Sequence, residues 1–383
     1  MTTSTHPGGR ASSEARGRSL DLGRLLLEGR AFLALLAVIV IFSFLSPNYF
    51  NVSNLLTMSS HVAVYALLAI GMLLVVLNGG IDLSVGSTLG LSGVFAGFLM
   101  KGVTLPFLGV TLFPSVWVVV VVCCLLGALI GLVNGTLVAR FRVASFVATL
   151  GMLYVVRGVA LLMTNGLTYN DLSGNPALGN TGFSWLGFNK ILGVPIGVLV
   201  MIVVALVASV LLTRTVFGRW LYSSGGNERA AELSGVPVKR VKVWVYVISG
   251  VSSALAGLIL SSELTSAGPT AGTSYELTAI AAVVIGGAAL TGGRGNVRGT
   301  LLGAFVIGFL SDGLVIIGVS AYWQTVFTGA VIVLAVLLNS VQYSGRRRTA
   351  KPASPTPDPA PDTPTPAPAP TVEQDATSAS PRR

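Results

Sequence analysis

Long apolar runs separated by short polar segments dominate the pattern of this 383-residue chain. A helix of about 17–25 apolar residues crosses a lipid bilayer, so each such run predicts a membrane span. The pattern predicts ten spans, at 31–46, 59–78, 84–101, 115–138, 145–164, 192–212, 243–262, 276–291, 299–317 and 323–340. The predicted fold class is therefore an all-α polytopic membrane protein with about ten transmembrane helices, some of them short or broken.

Basic residues fall almost entirely on one side of this predicted bilayer arrangement. With a cytoplasmic N-terminus and ten spans, all but three of the 24 basic residues are cytoplasmic. Lys101 and Lys190 are the two outer ones, and Arg157 lies within a span. Because cytoplasmic loops carry an excess of Lys and Arg, this distribution predicts that both termini lie in the cytoplasm. The very short connectors, such as 79–83, further predict that the spans they join are antiparallel neighbours.

Composition agrees with a membrane protein and divides the chain into three parts. Hydrophobic residues make up 52% of it and charged residues only 10%, against about 25% charged in an ordinary soluble domain. The predicted parts are a cytoplasmic basic N-terminal segment at 1–30, a transmembrane domain at 31–340, and a tail at 341–383. The tail is basic and then proline-rich, which predicts disorder.

Two functional classes are disfavoured by composition. The basic residues are scattered over five cytoplasmic segments, which argues against nucleic-acid binding. Cys123 and Cys124 are adjacent in an apolar run, and His6 and His61 share no cluster with other ligand types. Because adjacent helical residues point to different faces, the cysteines predict neither a disulfide nor a metal site.

The connector after the second predicted span is the first candidate site. It reads NGGIDLS and contains Asn78, Gly79, Gly80, Asp82 and Ser84. A glycine pair lets the backbone leave the helix, and such a break at membrane depth is tolerated only against protein or a water-filled path. Two interpretations stay open here. Asp82 caps the next helix in a simple tight turn, or the turn also forms part of a transport path or its gate.

A weak internal repeat relates this connector to a later one. At one offset, Gly79–Gly80 aligns with Gly292–Gly293, and the small residues that follow each pair align as well. Internal repeats are common in transporter folds.

Arg157 is a basic residue placed in the middle of a predicted span. An ionisable residue at that depth is expected to face the interior and to have a partner. Asp82, Glu263 and Glu276 are the candidate partners, and the sequence does not choose among them. A structural ion pair and a role in the substrate path are equally compatible with it.

The cytoplasmic connector at 213–242 is polar and contains its own short helical pattern. The run NERAAEL at 227–233 has good helix formers, and Gly235 can end the turn. No GxxxxGK[ST] pattern occurs anywhere in the chain, so it carries no phosphate-binding loop for ATP. No nucleophile–base set stands out either. The chain is therefore expected to be a transport subunit rather than an enzyme.

Four segments together resemble one known family. They read LNGGIDLSVGSTLGLSGVFAG (77–97), LVNGTLVARFRVASFVATLG (132–151), GRWLYSSGGNERAAELSGVPVKRVK (218–242) and ELTAIAAVVIGGAALTGGRGNVRGTLLGA (276–304). In this order they resemble the membrane-spanning permease of bacterial ATP-binding-cassette importers of the ribose and simple-sugar type. The basic N-terminus and the proline-rich tail fall outside the resemblance.

The resemblance implies partners and site residues. It implies a homodimer in the inner membrane, a cytoplasmic ATPase that binds ATP and Mg, and an external binding protein for a monosaccharide; this chain itself binds no cofactor. The implied coupling segment that docks on the ATPase comprises Gly225, Gly226, Asn227, Glu228, Ala230, Ala231, Glu232, Leu233, Ser234 and Gly235. The transport-path candidates are Asn78, Gly79, Gly80, Asp82, Ser84 and Arg157.

Two alternatives remain at the level of sequence. One is a related permease for another small solute, such as a branched-chain amino acid or a nucleoside. The other is an ion-coupled carrier that works alone, which needs several intramembrane acids in a relay. Asp82 is the one candidate for such a relay.

Overall fold

Helices form nearly all of the computed structural model, which describes residues 30–105 and 109–349. Within those ranges there are thirteen α-helices. They are α1 Arg30–Leu45, α2 Val52–Leu77, α3 Val85–Lys101, α4 Val116–Ala139, α5 Ser145–Thr164, α6 Trp185–Phe188, α7 Ile196–Arg214, α8 Val216–Gly226, α9 Glu228–Leu233, α10 Val238–Glu263, α11 Tyr275–Ile285, α12 Val297–Ile316 and α13 Ala321–Thr349.

Strands occur only in connectors in the described ranges, and each sheet has two antiparallel strands. β1 Val103–Leu105 pairs with β2 Val110–Leu112, and β4 Lys190–Ile191 pairs with β5 Val194–Pro195. β3 Tyr169–Asn170 pairs with β6 Ser266–Ala267, with Tyr169 opposite Ala267. This last pair ties the connector after α5 to the one after α10. A single 3₁₀ turn at Pro176–Leu178 completes these connectors.

Helices lie at each of the ten predicted segments. Six are long and apolar enough to cross a membrane: α2, α4, α5, α7, α10 and α12. Four shorter apolar helices occupy the other segments, at Ala31–Leu45, Val85–Lys101, Tyr275–Ile285 and Ala321–Leu334. The fold is therefore a polytopic helical membrane protein.

Several helices begin or end away from the bounds of the predicted spans. α2 begins at Val52 rather than 59, because the Asn51 side chain accepts a hydrogen bond from Ser53 N at 3.0 Å and caps the helix. α10 begins at Val238, so the basic end of the predicted connector belongs to that helix. α11 ends at Ile285, before a glycine pair. α13 runs to Thr349, past the predicted end at 340.

The prediction that a short connector joins two antiparallel helices packed against each other was wrong for α2 and α3. These two helices make little contact along their length, although the connector at 78–84 is short. Instead α10 packs extensively against both α2 and α3. The connector bends the chain around α10, which therefore lies between two helices that are consecutive in sequence.

Small residues allow α10 to pack so closely, and its most extensive contact is with α4. A Cβ on Gly131 of α4 would overlap the Tyr246 carbonyl oxygen of α10, and one on Gly127 would overlap that of Gly250. Gly135 continues the face, where a Cβ would lie 2.7 Å from the Val243 Cα. Without a hydrophobic driving force in lipid, such close backbone approach supplies the packing energy.

α2 is the most enclosed of the long helices in the described fold. In its most apolar window 89% of the residues are buried, and every residue from Ala66 to Leu77 is buried. In α4 and α5, by contrast, only 28% and 22% of the corresponding residues are buried. The core is thus centred on α2, while α4 and α5 present the outer apolar surface that a bilayer requires.

Compact packing extends to Val341, and a second unit begins at Gln342. The predicted N-terminal segment and the proline-rich part of the tail lie outside the described residues.

Candidate functional site

The polar connector forms two helices with side-chain caps at their start. Thr215 Oγ1 accepts a hydrogen bond from Gly218 N at 3.2 Å and begins α8. Asn227 Oδ1 accepts one from Ala230 N at 3.0 Å and begins α9. Gly235, with φ of 83°, follows the end of α9, as expected for a glycine that stops a helix. The connector is therefore an ordered element.

Most of the predicted coupling residues are exposed. Leu233 is 75% exposed, which is unusual for a leucine on a polar connector. Lys242 Nζ lies 2.7 Å from Glu228 Oε1, and Arg229 forms an exposed pair with Glu232 at 3.4 Å. The exposed members are Gly226, Asn227, Glu228, Ala230, Glu232, Leu233, Ser234 and Gly235.

Two of the predicted coupling residues face the protein instead. Ala231 is buried, at 4% exposure, so it anchors α9 on its own chain. Gly225 is half-buried and contacts two other turns. A surface partner has no direct access to the Ala231 side chain.

Three glycine-rich turns meet at the C-terminal end of α8. A Cβ on Gly225 would overlap the Leu77 carbonyl oxygen and would lie 2.7 Å from Gly293 N. Gly293 N donates a hydrogen bond to the same Leu77 oxygen at 2.9 Å. Gly292 approaches Gly79, since a Cβ on Gly292 would lie 3.0 Å from Gly79 N. The two glycine pairs of the sequence repeat therefore contact each other, and α8 contacts both.

Side-chain hydrogen bonds reinforce this three-turn contact. Ser224 Oγ donates to Asn78 Oδ1 at 3.1 Å, and the Tyr222 hydroxyl donates to the Gly295 carbonyl oxygen at 2.8 Å. Burial raises the pKa of the Tyr222 hydroxyl, so that it stays protonated and can donate. α8 is thus bonded to the turn after α2 and to the turn before α12.

A cavity of about 560 Å³ lies between α9 and the turn after α2. Both sets of sequence-predicted residues reach it, since Asn78, Gly79 and Gly80 face Glu228 and Glu232 across it. The remaining lining residues are Val138, Ala139, Arg142, Val143, Ala144, Ser145, Arg229, Val238, Lys239, Lys242 and Tyr246.

Asp82 is buried in a network of hydrogen bonds. Its Oδ1 accepts from Ser84 N at 3.0 Å and from Ser84 Oγ at 2.7 Å, and its Oδ2 accepts from Ser249 Oγ of α10 at 2.9 Å. Asn134 Nδ2 of α4 donates to Ser84 Oγ at 2.8 Å. The acid thus joins the connector to α4 and α10. Asp82 and Ser84 lie inside one protomer, and neither lines the cavity beside α9.

α5 supplies two further hydroxyls that hold the same connector. Ile81 N donates to Ser145 Oγ at 3.3 Å, and Leu83 N donates to Thr149 Oγ1 at 3.1 Å. Sequence reasoning missed Asn134, Thr149 and Ser249. Their one signal was a polar residue in an otherwise apolar helix. In membrane folds such residues often form the hydrogen bonds that non-helical backbone needs.

Arg157 lies apart from Asp82 and bonds to backbone. Its Nη1 donates to the carbonyl oxygens of Pro269 at 2.5 Å and Ala271 at 2.7 Å, in the connector before α11. A Cβ on Gly90 of α3 would lie 2.7 Å from that Nη1. Glu276, one of the three candidate partners, interacts with Arg157 electrostatically. The guanidinium therefore ties the connector before α11 to α5, next to Gly90 of α3.

Residues that could bind a metal do not cluster in the described ranges. Nowhere in 30–105 or 109–349 do three or more His, Cys, Asp or Glu side chains form a group that could hold a metal ion.

A family model matches residues 52–336, which covers more than half of the chain. Its description is "Branched-chain amino acid transport system / permease component". No solved structure matches this chain.

Curated relatives match almost end to end. The chain is 44% identical to the ribose import permease protein RbsC of Escherichia coli K12, over 89% of this chain and 99% of that protein. It is 45% identical to the ribose import permease of Bacillus subtilis 168, over 80% of this chain and 91% of the relative. It is also 34% identical to the xylose transport system permease protein XylH of E. coli K12, over 80% of this chain and 90% of the relative.

These relatives are permease proteins of transport systems rather than enzymes, and the six long apolar helices of this chain agree with that. The chain belongs to the permease family of bacterial ATP-binding-cassette importers, in the group that holds the ribose permeases, and is a multi-pass inner-membrane protein.

Proposed function

We propose that this chain forms the membrane path of an ATP-driven monosaccharide importer, with a ribose-like pentose as the favoured substrate. The observation that carries the proposal is the 44% identity to a ribose import permease over 99% of that relative. The similarity to a xylose permease supports pentoses as the substrate class.

The proposed assembly contains two copies of this chain around one path. A cytoplasmic ATPase binds ATP and Mg, and an external binding protein delivers the sugar. The permease chain contributes no cofactor. The bilayer contacts the exposed apolar faces of α4, α5 and α7.

The proposed topology has ten spans and both termini in the cytoplasm. It places α8 and α9 on the cytoplasmic side, where an ATPase would dock. It places the connector from α5 to α7 outside, where a binding protein would dock. The distribution of basic residues supports this orientation.

Coupling in this proposal runs from α9 through α8 to the two glycine turns. The exposed face of α9 docks on the ATPase, with Leu233 as the apolar contact and Glu228 and Glu232 as the charged ones. Movement of α9 is passed to α8 and from there to the Gly79 and Gly292 turns, which lead into α3 and α12. A ligand can shift such an equilibrium only through contacts that differ between the two states.

The turn at 78–84 serves as the inner gate in this mechanism. Asn78, Gly79 and Gly80 face the cytoplasmic cavity, while Asp82 and Ser84 hold the turn to α4 and α10. Arg157 of α5 fixes the connector before α11, beside Gly90 in the first half of α3. Its part in the path is to position α3 and α11.

Charge reversal on α9 tests the coupling assignment. Glu228→Lys and Glu232→Lys are each expected to separate ATP hydrolysis from uptake, because they invert the charge that faces the ATPase while the spans stay packed. The measurement is ATP-dependent sugar uptake by proteoliposomes that hold this chain, its cognate ATPase and its binding protein. Normal uptake by both variants would contradict the assignment.

A matched pair of leucine substitutions separates docking from general damage. Leu233→Asp is expected to reduce co-purification of the ATPase. Leu192→Asp is the control, since Leu192 is 99% exposed in the outer connector. Equal loss of the ATPase in both variants would argue that α9 is not the docking element.

The family description supports one alternative substrate, a branched-chain amino acid. The same proteoliposomes separate the two, since uptake of labelled leucine without uptake of any pentose would favour the amino-acid reading. ATP-independent uptake by the permease alone would favour a stand-alone carrier.

A further inference from the structure

A polar stripe of four side chains follows one face of α2 into the membrane region. Ser53, Thr57, His61 and Tyr65 are spaced four residues apart, so they lie on one helix face. The first three are exposed and Tyr65 is half-buried. At 1.5 Å per residue His61 lies about 14 Å along the helix from Val52, well below the helix end.

The stripe begins at a cavity and ends at a closed region. A cavity of about 330 Å³ at the start of α2 is lined by Asn48, Asn51, Ser53, Asn54, Thr57 and Ile316. Beyond Tyr65, every residue of α2 is buried through Leu77. The accessible polar surface therefore covers only one half of the helix, and by the topology proposed above this is the outer half.

Charged groups from two other helices face the middle of the stripe. His61 Nδ1 lies 3.1 Å from Asp312 Oδ1 and 3.2 Å from Asp312 Oδ2 of α12. The His61 side chain is 50% exposed, against 17% for Asp312. Ionisable side chains at this depth are costly in lipid, so the exposed face of His61 and Asp312 is expected to meet water or protein.

An unpaired carboxylate oxygen lies near this pair. Glu263, the last residue of α10, interacts electrostatically with both His61 and Asp312. Its Oε1 is buried and has no hydrogen-bond partner within the described part of the chain. Because buried polar atoms are normally hydrogen-bonded, such an atom calls for an explanation. Because the atom is enclosed, Glu263 acts on the stripe through its electrostatic interaction with His61 and Asp312 and not through an open contact.

Two aromatic rings form the inner end of the stripe. The Tyr65 and Tyr275 rings have centroids 5.0 Å apart and planes inclined at 59°. The Tyr65 hydroxyl also interacts with Ser311 and Asp312 of α12. Tyrosine offers an apolar ring face and a polar tip, which suits a small molecule with both C–H faces and hydroxyls.

We propose that this stripe, from Ser53 to Tyr65 on α2 with Asp312 and Glu263, is the outer vestibule through which the sugar passes, with its floor at the two tyrosines. The chemistry is that of a polyhydroxylated ligand, because carboxylate oxygens accept from hydroxyls, His61 both donates and accepts, and the rings cover the apolar face. The inference rests on the proposed monosaccharide import and assigns residues that the coupling mechanism leaves unused.

Cysteine accessibility tests the water-filled vestibule without reference to the substrate. In a Cys123→Ala, Cys124→Ala background, Thr57→Cys and His61→Cys are made one at a time and treated in intact cells with a charged, membrane-impermeant methanethiosulfonate. Both are expected to react, as is Leu192→Cys in the outer connector. Val207→Cys is the control, since Val207 is exposed on the apolar helix α7 and is expected to stay unreacted in lipid. A His61→Cys variant as unreactive as Val207→Cys would overturn the proposal.

Sugar uptake provides the second measurement. Asp312→Asn and His61→Gln are expected to lower uptake at sub-saturating pentose by about tenfold or more. Asp312→Asn replaces a charged acceptor of hydroxyl hydrogen bonds by a weaker neutral amide, and His61→Gln removes the imidazole that bonds to Asp312. Reaction of Thr57→Cys with the reagent is expected to block uptake, and treatment of Val207→Cys to leave it unchanged. Co-purification of the ATPase serves as the check on folding.

The proposed import function and the proposed vestibule are contradicted by different results. Absence of ATP-driven uptake of any monosaccharide by the unmodified chain would overturn the proposed function. Normal uptake by the unmodified chain, together with equal uptake by Asp312→Asn and His61→Gln, would overturn the vestibule alone.

Discussion

Gly225 lies where the backbone of α8 touches two other turns, so the contact depends on its missing side chain. Gly226, its neighbour, has nothing within 4 Å of the position that a Cβ would take. An added methyl group would therefore clash at Gly225 and fit freely at Gly226. The difference offers a matched pair of substitutions at the junction between α8 and the glycine turns.

Gly225→Ala is expected to impair uptake, and Gly226→Ala to leave it near normal. The new methyl group of Gly225→Ala would overlap the Leu77 carbonyl oxygen, at a cost of about 1–3 kcal/mol for overpacking. If that cost falls on one transport state, uptake drops by about tenfold. Proteoliposome uptake and ATPase co-purification are measured side by side. Equal uptake by the two variants would contradict a role for this contact in coupling.

The sequence identified some of the single residues that form unusual polar contacts, but it did not identify the groups they contact. The sequence indicated that Arg157 needs a partner at membrane depth, with Asp82 as one of three candidates. It did not indicate that Asp82 would accept from Ser249, because the two lie far apart in the chain and serine is common in close-packed membrane helices. Arg157 binds backbone carbonyl oxygens, for which no side chain gives a signal. Whether the path residues serve transport stays a prediction.

The sequence predicted that the helices exist and roughly where they lie. It predicted less well where each helix ends and which helices pack together. Hydrophobic length located a helix at all ten segments. It could not indicate that α10 packs between α2 and α3, because that arrangement depends on small residues brought together from distant parts of the chain. Hydrophobic length also left out the polar first turns of α2, which Asn51 caps by accepting from Ser53 N.

The α4–α10 contact is expected to be intolerant of added volume. In Gly131→Ala the methyl group would overlap the Tyr246 carbonyl oxygen and push the two helices apart, with an overpacking cost of about 1–3 kcal/mol. The detergent-solubilised protein should therefore unfold at a lower temperature. Gly158→Ala on α5 is the control, because nothing lies within 4 Å of its Cβ position. A Gly131→Ala variant that melts with the unmodified protein would show that the helices can adjust.

At the scale of the whole molecule, the orientation of the chain decides what each surface does. Orientation was inferred from basic residues alone, and the three exceptions to the pattern are few. The same inference places α9 inside and the connector that carries Leu192 outside. The two leucines therefore report on opposite sides of the membrane.

Labelling from one side tests this topology. In the background without native cysteines and without the ATPase, Leu192→Cys is expected to react with an impermeant reagent in intact cells. Leu233→Cys is expected to react only after the membrane is permeabilised, because positively charged loops are retained in the cytoplasm. The reverse pattern would invert the topology, and with it the assignment of the coupling face.

The enclosure of α2 has a consequence for how the chain is made. The helices that finally cover it include α10, α11 and α12, which are synthesised much later. During synthesis α2 therefore exists before these partners do, and a mean hydropathy of 2.3 over its most apolar 18 residues suits it to lipid in the meantime. Its later partners displace lipid from a helix that has already been inserted. The native centre of the molecule is consequently completed only after α12 has emerged from the ribosome, and a chain truncated before α12 would leave α2 facing lipid along a surface shaped for protein.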